Sequence, residues 1–229
     1  MDRADLRRGV GDVSPLILGM APFGAITGVA AVDAGLGFTE TIALSVVVFA
    51  GASQLAALEL LRVDAHLAIV VVTAVVINLR MVMYSASIAP YFERFSAAWR
   101  AGLSYLLTDP SYALSIVEFR SESDVDRRAY YLGVATTLWV TWQLTTVVGF
   151  VLGAGVPDGW QLEFAVPLVF LALLVPAVED RASLAAGLVG GAVAVAGLGL
   201  PLNLGLLVGA AAGVLAGLLL DDPEGRHAD

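Results

Sequence analysis

The feature that most constrains this chain is one arginine inside a long apolar segment. Arg80 lies in the stretch INLRMVMYSASIAP, residues 77–90, within an apolar run that begins near Ala65. An arginine at the centre of a membrane helix costs about 2.5 to 3.5 kcal/mol on insertion scales, so such a residue usually faces a partner or a water-filled cavity. We therefore expect Arg80 to point into the interior of a helical bundle.

Composition places the chain in a bilayer. Of its 229 residues, 59% are hydrophobic and only 14% are charged, which leaves too little polar surface to cover a soluble core. This predicts an all-α integral membrane protein built as a polytopic helical bundle. The net charge of −9 argues against nucleic acid as a partner, and the absence of cysteine excludes disulfides and thiolate metal sites. Acidic residues without any lysine predict a halophilic source.

The apolar runs predict about eight membrane spans, some of them broken or re-entrant, in a single transmembrane domain over residues 13–220. Residues 1–12 are predicted to be a cytoplasmic tail and residues 221–229 an acidic tail. A weak repeat of residues 13–119 in residues 129–220 is possible. The predicted spans cover, approximately, residues 13–32, 41–61, 65–90, 101–119, 129–153, 162–178, 182–200 and 202–220.

Arginines give the predicted orientation. With eight spans and a cytoplasmic start, nine arginines, Arg62 among them, fall inside, whereas Arg94 and Arg100 fall outside. Cytoplasmic loops of membrane proteins carry an excess of arginine and lysine. Both termini are therefore predicted to be cytoplasmic, in a multi-pass protein of the cell membrane.

Two of the predicted spans contain residues that interrupt helices. Pro22 lies in the run GMAPFG, which predicts either a kinked helix or a broken helix whose backbone groups line a cavity. Asp109 precedes Pro110, and this pair predicts an interruption at membrane depth. Asp109 is also the natural counter-charge for Arg80, so we expect the two side chains to pair.

The centre of the second predicted span is polar where lipid contact favours leucine or valine. It reads Gly51-Ala52-Ser53-Gln54, so Ser53 and Gln54 are expected to face protein, either bonded to a neighbouring helix or exposed to a pore. Trp142 lies too deep in the fifth span for an interfacial belt, and we expect it in the core or against a ligand.

Motifs for common catalytic chemistry are absent from the sequence. There is no P-loop, no H-E-x-x-H and no acidic cluster with the spacing of metal ligands. His66, at the start of the third span, is expected to be a solvated or capping residue rather than a ligand. The chain is therefore predicted not to be an enzyme and to hold no metal or cofactor.

Several motifs follow one another along the chain: APFG at 21–24, VFAGASQ at 48–54, INLR at 77–80 with YSAS at 84–87, LTD at 107–109 and YYLG at 130–133. In this order they resemble the AzlC/YgaZ family of branched-chain amino acid exporters. The resemblance covers nearly the whole chain and is weakest in the last two spans. It implies export of hydrophobic amino acids such as valine, leucine or isoleucine, with a small membrane protein of the AzlD type as partner.

Two positions depart from the pattern of that family. Met81 follows Asn-Leu-Arg where histidine is frequent, and Pro110 follows Thr-Asp where glutamate is frequent. Both departures remove a titratable group, which argues against a proton-relay role at these positions.

The residues and the resemblance together predict a secondary transporter subunit that exports branched-chain or other hydrophobic amino acids. A passive amino-acid channel and a non-transporting membrane subunit that binds a partner are the alternatives. For Arg80 and Asp109 the alternative role is a structural ion pair that only joins the third and fourth spans.

In the predicted site, Arg80 or a freed backbone amide near Pro22 or Gly51 holds the substrate carboxylate. Asp109 and nearby carbonyl groups hold the ammonium, and aromatic side chains surround the apolar part. The predicted substrate-binding residues are Arg80, Asp109, Asn78, Tyr84, Ser53, Gln54, Pro22, Phe23, Gly24, Phe49, Gly51 and Trp142.

Overall fold

The structure is a computed structural model that describes residues 1–121, 124–155, 178, 180–200 and 204–220. Within these residues the regular secondary structure is entirely helical, which confirms the predicted all-α fold. Residues 162–177 of the predicted sixth span and the acidic tail 221–229 lie outside the described residues. The helices are α1 (Arg3–Asp33), α2 (Phe38–Val48), α3 (Gly51–Arg62), α4 (Leu67–Phe92), α5 (Ala97–Tyr105), α6 (Asp109–Arg120), α7 (Arg127–Ala154), α8 (Arg181–Ala196, followed by the 3-10 turn Gly197–Gly199) and α9 (Leu204–Leu220).

Three long helices form the frame of the bundle. α1, α4 and α7 contain 31, 26 and 28 residues and are apolar enough to cross a membrane. At about 1.5 Å per residue they measure about 39 to 46 Å. Each is therefore longer than a hydrocarbon layer of about 30 Å.

α1 starts earlier than the sequence predicts, and it is continuous. It begins at Arg3, where the Asp2 carboxylate caps its first turn, so most of the predicted tail 1–12 is helical. Pro22 lies inside the helix without ending it. The broken-helix alternative at Pro22 is therefore wrong: contact with α7 along the length of α1 holds the helix together although proline removes a backbone donor.

α1 and α7 run parallel and pack through glycines. Gly9 near the start of α1 lies against the backbone of Tyr130, and Gly28 near its end lies against the backbone of Thr146. Small residues let two helix backbones approach closely where lipid supplies no hydrophobic driving force.

α2 and α3 form a hairpin that begins and ends at one end of the bundle. Phe38 packs on Phe150 near the end of α7, and Arg62 at the end of α3 lies 3.8 Å from Asp33 at the end of α1. The chain reverses at Phe49, where φ is 39°. With 11 and 12 residues, α2 and α3 are about 17 and 18 Å long, so each reaches only the middle of the bundle.

α5 and α6 form a second hairpin, which enters from the opposite end. Arg128 at the start of α7 lies 4.8 Å from the ring of Trp99 in α5, and Phe119 near the end of α6 packs against Tyr130. The hairpin has 9 residues before its interruption and 12 after it. It therefore also turns back in the middle of the bundle.

The predicted second and fourth spans are thus re-entrant hairpins rather than single crossings. The expected interruption of the fourth span is confirmed, but it lies at residues 106–108: α5 ends at Tyr105, and Asp109 is already the first helical residue of α6 after its N-cap Thr108. The sequence predicts no reversal at Phe49, since residues 41–61 contain no proline and hydropathy does not distinguish two half-length helices from one full-length helix.

The two hairpins share a local detail. Ser53 is the third residue of α3, and its hydroxyl donates to the carbonyl of Ala50 at 2.9 Å. Ser111 is the third residue of α6, and its hydroxyl donates to the carbonyl of Thr108 at 3.0 Å. Each hairpin also follows a long helix, α1 or α4, and the two units enter from opposite ends. Together they have the arrangement of an inverted repeat.

The predicted repeat of residues 13–119 in residues 129–220 is a different correspondence. It stays a prediction, because much of its second half lies outside the described residues.

The hairpins change the predicted placement of several arginines. Arg94 and Arg100 lie at the same end of the bundle as Arg3, since α4 ends there, and Arg62 lies at the other end. Up to residue 155, eight of the ten arginines share the end that holds Arg3, and Arg80 lies between the two ends. The sequence-based assignment of Arg62, Arg94 and Arg100 is wrong because it counts each hairpin as a crossing.

α8 and α9 form an antiparallel pair close to the seventh and eighth predicted spans. Gly190 packs against Gly209 and Gly213, and Gly197 packs against Gly205. This contact through small residues is the predicted one.

Gly149→Ala tests the packing of α1 on α7. A β-carbon at Gly149 would overlap the carbonyl oxygen of Ala25, a backbone atom that cannot rotate away. We expect a loss of about 1 to 3 kcal/mol of stability, typical of overpacking. A chain of this length loses about 2 to 4 °C of melting temperature per kcal/mol, so the melting temperature in detergent should fall by about 2 to 12 °C. Gly19→Ala is the control, because no atom lies within 4 Å of that β-carbon; equal melting temperatures for the two variants would contradict the packing.

Candidate functional site

A cavity of about 610 Å³ lies where the two hairpins meet. Both helix interruptions open into it, and α1, α4 and α7 supply its walls. Of the predicted site residues, it is lined by Phe23, Phe49, Gly51, Arg80, Asp109 and Trp142, and its other lining residues are Met20, Ala50, Ala52, Met81, Thr108, Pro110 and Leu138.

Arg80 and Asp109 form an ion pair at this cavity. Nη1 of Arg80 lies 2.9 Å from Oδ1 of Asp109, which joins α4 to the first residue of α6. The two side chains are 33% and 41% exposed. The pairing expected from the sequence is therefore present, and both charges face the cavity in the middle of the bundle.

A hydroxyl group holds the Asp109 carboxylate from the α4 side. Tyr84, one helical turn after Arg80, donates to Oδ1 of Asp109 at 3.0 Å. The Tyr84 ring stacks on Tyr112 at 4.5 Å between centroids, and the Tyr112 hydroxyl lies 2.8 Å from the Ser87 hydroxyl. The carboxylate is thus held by two side chains of α4, Arg80 and Tyr84, and Tyr112 of α6 in turn holds the Tyr84 ring.

The start of α3 differs from the start of α6. At α6 the backbone N–H of Thr108 donates to the Ser111 hydroxyl at 2.8 Å. At α3 the N-cap residue is Ala50, whose side chain cannot cap. The first amides of an α-helix have no intrahelical acceptor, and the helix dipole makes this end attractive to anions. Gly51 and Ala52 bring that end to the cavity wall.

A layer of polar side chains lies directly behind the start of α3. The Asn78 amide donates to the Ser53 hydroxyl at 3.1 Å, and Nε1 of Trp142 donates to Oε1 of Gln54 at 3.1 Å. Ser53 and Gln54 are fully buried. Among the described residues, the buried Oδ1 of Asn78 and Nε of Arg80 have no hydrogen-bond partner.

Aromatic rings form part of the apolar wall of the cavity. Phe23 and Trp142 meet edge to face at 5.3 Å, and a β-carbon at Gly51 would lie 2.6 Å from each ring. Phe49 packs against Tyr105 at 6.1 Å. Glycine at position 51 therefore lets both rings reach the start of α3.

A sequence model of the AzlC protein family matches residues 15–156. The chain belongs to the AzlC family. It is 25% identical over 207 residues to the inner membrane protein YgaZ of Escherichia coli, covering 87% of this chain and 84% of that protein. It is 29% identical over 197 residues to an uncharacterized membrane protein of Archaeoglobus fulgidus, covering 84% of each. No solved structure matches the chain.

Membership of the AzlC family, with these relatives, indicates a multi-pass membrane protein that has a role related to transport. In the described part of this AzlC chain, no group of three or more histidine, aspartate or glutamate side chains is placed to hold a metal ion.

The structure divides the twelve predicted site residues of this AzlC protein into three groups. Six line the cavity, as given above. Ser53, Gln54, Asn78 and Tyr84 lie behind its wall and hold the lining residues. The remaining two are outside the cavity lining: Pro22 is within α1, and Gly24 faces Thr145 of α7 in the helix contact. Direct substrate contact through Pro22 or Gly24 is therefore not supported.

Sequence reasoning missed seven lining residues, although a signal for most of them was available. Met81 and Pro110 follow the two charged residues directly, and Ala50 and Ala52 flank Gly51. Met20 precedes Phe23 by three positions and Leu138 precedes Trp142 by four, which places each pair on one helix face. Outside the site, His66 caps α4 as expected: its Nδ1 accepts from the Ala68 N–H at 3.3 Å.

A double-mutant cycle tests the ion pair. The double variant should lose less stability than the sum of the losses in Arg80→Gln and Asp109→Asn. The reason is that each single variant leaves a charge in the bundle without its partner. We expect a coupling of about 1 to 3 kcal/mol from unfolding in detergent, below that of a fully buried pair. The pair Arg62 and Glu59, at 2.6 Å, is the control: its side chains are exposed to nearly the same extent (33% and 42%), but it lies at one end of the bundle rather than in the middle, and it should show a coupling below about 1 kcal/mol. Additive losses at Arg80 and Asp109 would contradict the pairing.

Proposed function

We propose that this protein is the large subunit of a secondary transporter that exports branched-chain or other hydrophobic amino acids from the cytoplasm. The observation that carries the proposal is the position of the Arg80–Asp109 pair. It lies in an otherwise apolar cavity, in the middle of the bundle, between two interrupted helices.

The charges in the cavity match a zwitterion. An amino acid brings one carboxylate and one ammonium, and the site offers one guanidinium and one carboxylate at 2.9 Å. Because both side chains are about one-third exposed or more, their attraction is much weaker than that of a desolvated pair. A substrate that inserts between Arg80 and Asp109 gives each of them a new partner, so the net cost of separating the two is small.

The backbone adds a second position for the carboxylate. The start of α3 carries amides that no side chain caps, and the partial positive charge of a helix N-terminus favours an anion there. In transporters, interrupted helices commonly hold charged substrate groups in this way near the middle of the membrane.

The aromatic wall suits a hydrophobic side chain. Phe23, Phe49 and Trp142 line the same cavity as the ion pair. A branched aliphatic group buried there gains about 25 cal/mol for each Å² of apolar surface removed from water.

The arginine-rich end of the bundle is assigned to the cytoplasm. Eight of the ten arginines up to residue 155 lie at that end, with the start of α1, and the positive-inside rule places such an end in the cytoplasm. The N-terminus would then be cytoplasmic, in the cell membrane. Transport would run from this end towards the end that holds Asp33 and Arg62.

Efflux of labelled valine from proteoliposomes tests the function. Asp109→Asn should lower the rate by about ten- to a hundredfold, the equivalent of one lost charged hydrogen bond, while the protein stays folded in detergent. Asp64→Asn is the matched control, because it removes the same charge from an exposed loop and should export at the wild-type rate. Full activity of Asp109→Asn would leave Arg80 and Asp109 with a structural role only.

The same assay separates the alternative functions. Movement of valine against its gradient, driven by a proton or sodium gradient, excludes a passive channel. Efflux measured with and without a small AzlD-type membrane protein shows whether this partner is required. If no condition gives transport, a non-transporting subunit that binds a partner becomes the better explanation.

Gly51→Ala tests the side-chain pocket. The added methyl group lies 2.6 Å from ring atoms of Phe23 and Trp142, so one of these rings must move and the cavity changes shape. We expect leucine export to fall about tenfold more than alanine export, since pocket fit of one or two methylene groups is worth about 1 to 3 kcal/mol. An equal loss for both substrates would argue that these rings do not contact the substrate.

A further inference from the structure

A second cavity, of about 240 Å³, lies between α4 and α5 at the arginine-rich end of the bundle. We name it the α4–α5 cleft. α4 contacts α6, whereas α5 contacts α7 through Tyr131 and Trp139. The cleft is lined by Ser85, Ile88, Ala89, Phe92, Glu93, Arg100, Leu103, Ser104, Leu107 and Tyr131.

The cleft extends from the end of the bundle to the wall of the central cavity. At its deep end are Ser85 and Leu107. Ser85 lies one helical turn after Met81, and Leu107 directly precedes Thr108; Met81 and Thr108 both line the central cavity. The barrier between the two cavities is therefore about one helical turn thick, and Leu107 within it is 6% exposed.

The lining has the chemistry of a small zwitterion site. Glu93 and Arg100 lie at the outer end with opposite charges, and neither forms an ion pair with a side chain in the described part of the chain. Ser85 and Ser104 supply hydroxyl groups further in. The Tyr131 hydroxyl is already donated to the carbonyl of Leu103 at 2.9 Å, so this ring forms a fixed wall.

We propose that the α4–α5 cleft is a second amino-acid binding site, which receives the substrate from the cytoplasm before it passes to the central cavity. Glu93 contacts the ammonium and Arg100 the carboxylate, while the aliphatic side chain lies against Phe92 and Leu107. Pockets for drug-sized ligands measure about 300 to 1,000 Å³. At about 240 Å³ the cleft is slightly smaller, which suits a single amino acid. This inference rests on the proposed function, because it takes its ligand from it.

The absence of cysteine allows a direct test on the full chain. Ser104→Cys places one thiol in the cleft, and a charged methanethiosulfonate reagent modifies it only if water reaches it. In purified protein we expect modification, slowed at least threefold by saturating L-leucine. Ala101→Cys is the control: it is on the same helix but not in the cleft lining, and leucine should not change its rate.

The same measurement in the Asp109→Asn background separates the two sites. Protection of the thiol at position 104 by leucine should persist there, because the cleft does not include Asp109. Loss of protection in this background would mean that leucine acts from the central cavity, and it would overturn the proposal. So would a thiol at position 104 that does not react, or one that reacts but that leucine does not protect.

Charge variants give an independent measurement. Arg100→Gln and Glu93→Gln should each raise KM for leucine export about three- to fivefold with little change in kcat, as expected for a partly exposed charge that contributes to binding only. Arg94→Gln is the matched control, since Arg94 is adjacent to Glu93 but does not line the cleft. If wild-type protein exports leucine and Arg100→Gln and Glu93→Gln both match it, the cleft proposal fails and the proposed function stands. If wild-type protein exports nothing, the proposed function itself fails.

Discussion

The structure depends on how the backbone is satisfied at two helix interruptions in the middle of the bundle. Hydrocarbon offers no hydrogen-bond partner, so irregular backbone at this depth is stable only when it is buried in protein or lines a wet cavity. At the end of α2, the Tyr105 hydroxyl donates to the carbonyl of Val46 at 2.7 Å, and the Gln143 amide donates to the carbonyl of Ser45 at 3.4 Å. These donors belong to α5 and α7. The first hairpin is therefore held in shape by helices that are distant in sequence.

The interruptions also explain why two opposite charges persist at this depth. Asp109 is the first residue of α6, where the partial positive charge of the helix end stabilises a carboxylate. Arg80 projects from the uninterrupted helix α4 and is paired with Asp109. The reversal between α5 and α6 thus contributes to the cavity, places Asp109 at a helix start and gives Arg80 its partner. The left-handed conformation of Phe49, which costs about 1 to 2 kcal/mol, is tolerated because its N–H still donates to Ser45.

The inverted arrangement of the two hairpins has a consequence for transport. A cavity built from two units that enter from opposite ends can be exposed to either end by small movements of one unit against the other, as in transporters with inverted repeats. The described structure shows a cleft at the arginine-rich end, between α4 and α5, and a barrier of about one turn between this cleft and the central cavity. The Arg80–Asp109 pair joins α4 to α6 within the second unit, so a substrate that separates this pair acts directly on the contact between that hairpin and its own long helix.

The sequence by itself determined the all-helical membrane fold, the pairing of Arg80 with Asp109 and the interruption before Pro110. These follow from local physical chemistry: a charge in hydrocarbon needs a partner, and proline has no N–H to donate to the carbonyl four residues earlier, so a helix stops before it. Only the tertiary structure decided that the second and fourth apolar segments turn back, and consequently at which end Arg62 and Arg94 lie. Hydropathy shows that a segment is buried, but it does not show whether the segment crosses the membrane or turns back. That depends on other helices, such as α5 and α7, which donate hydrogen bonds to the backbone where the first hairpin reverses.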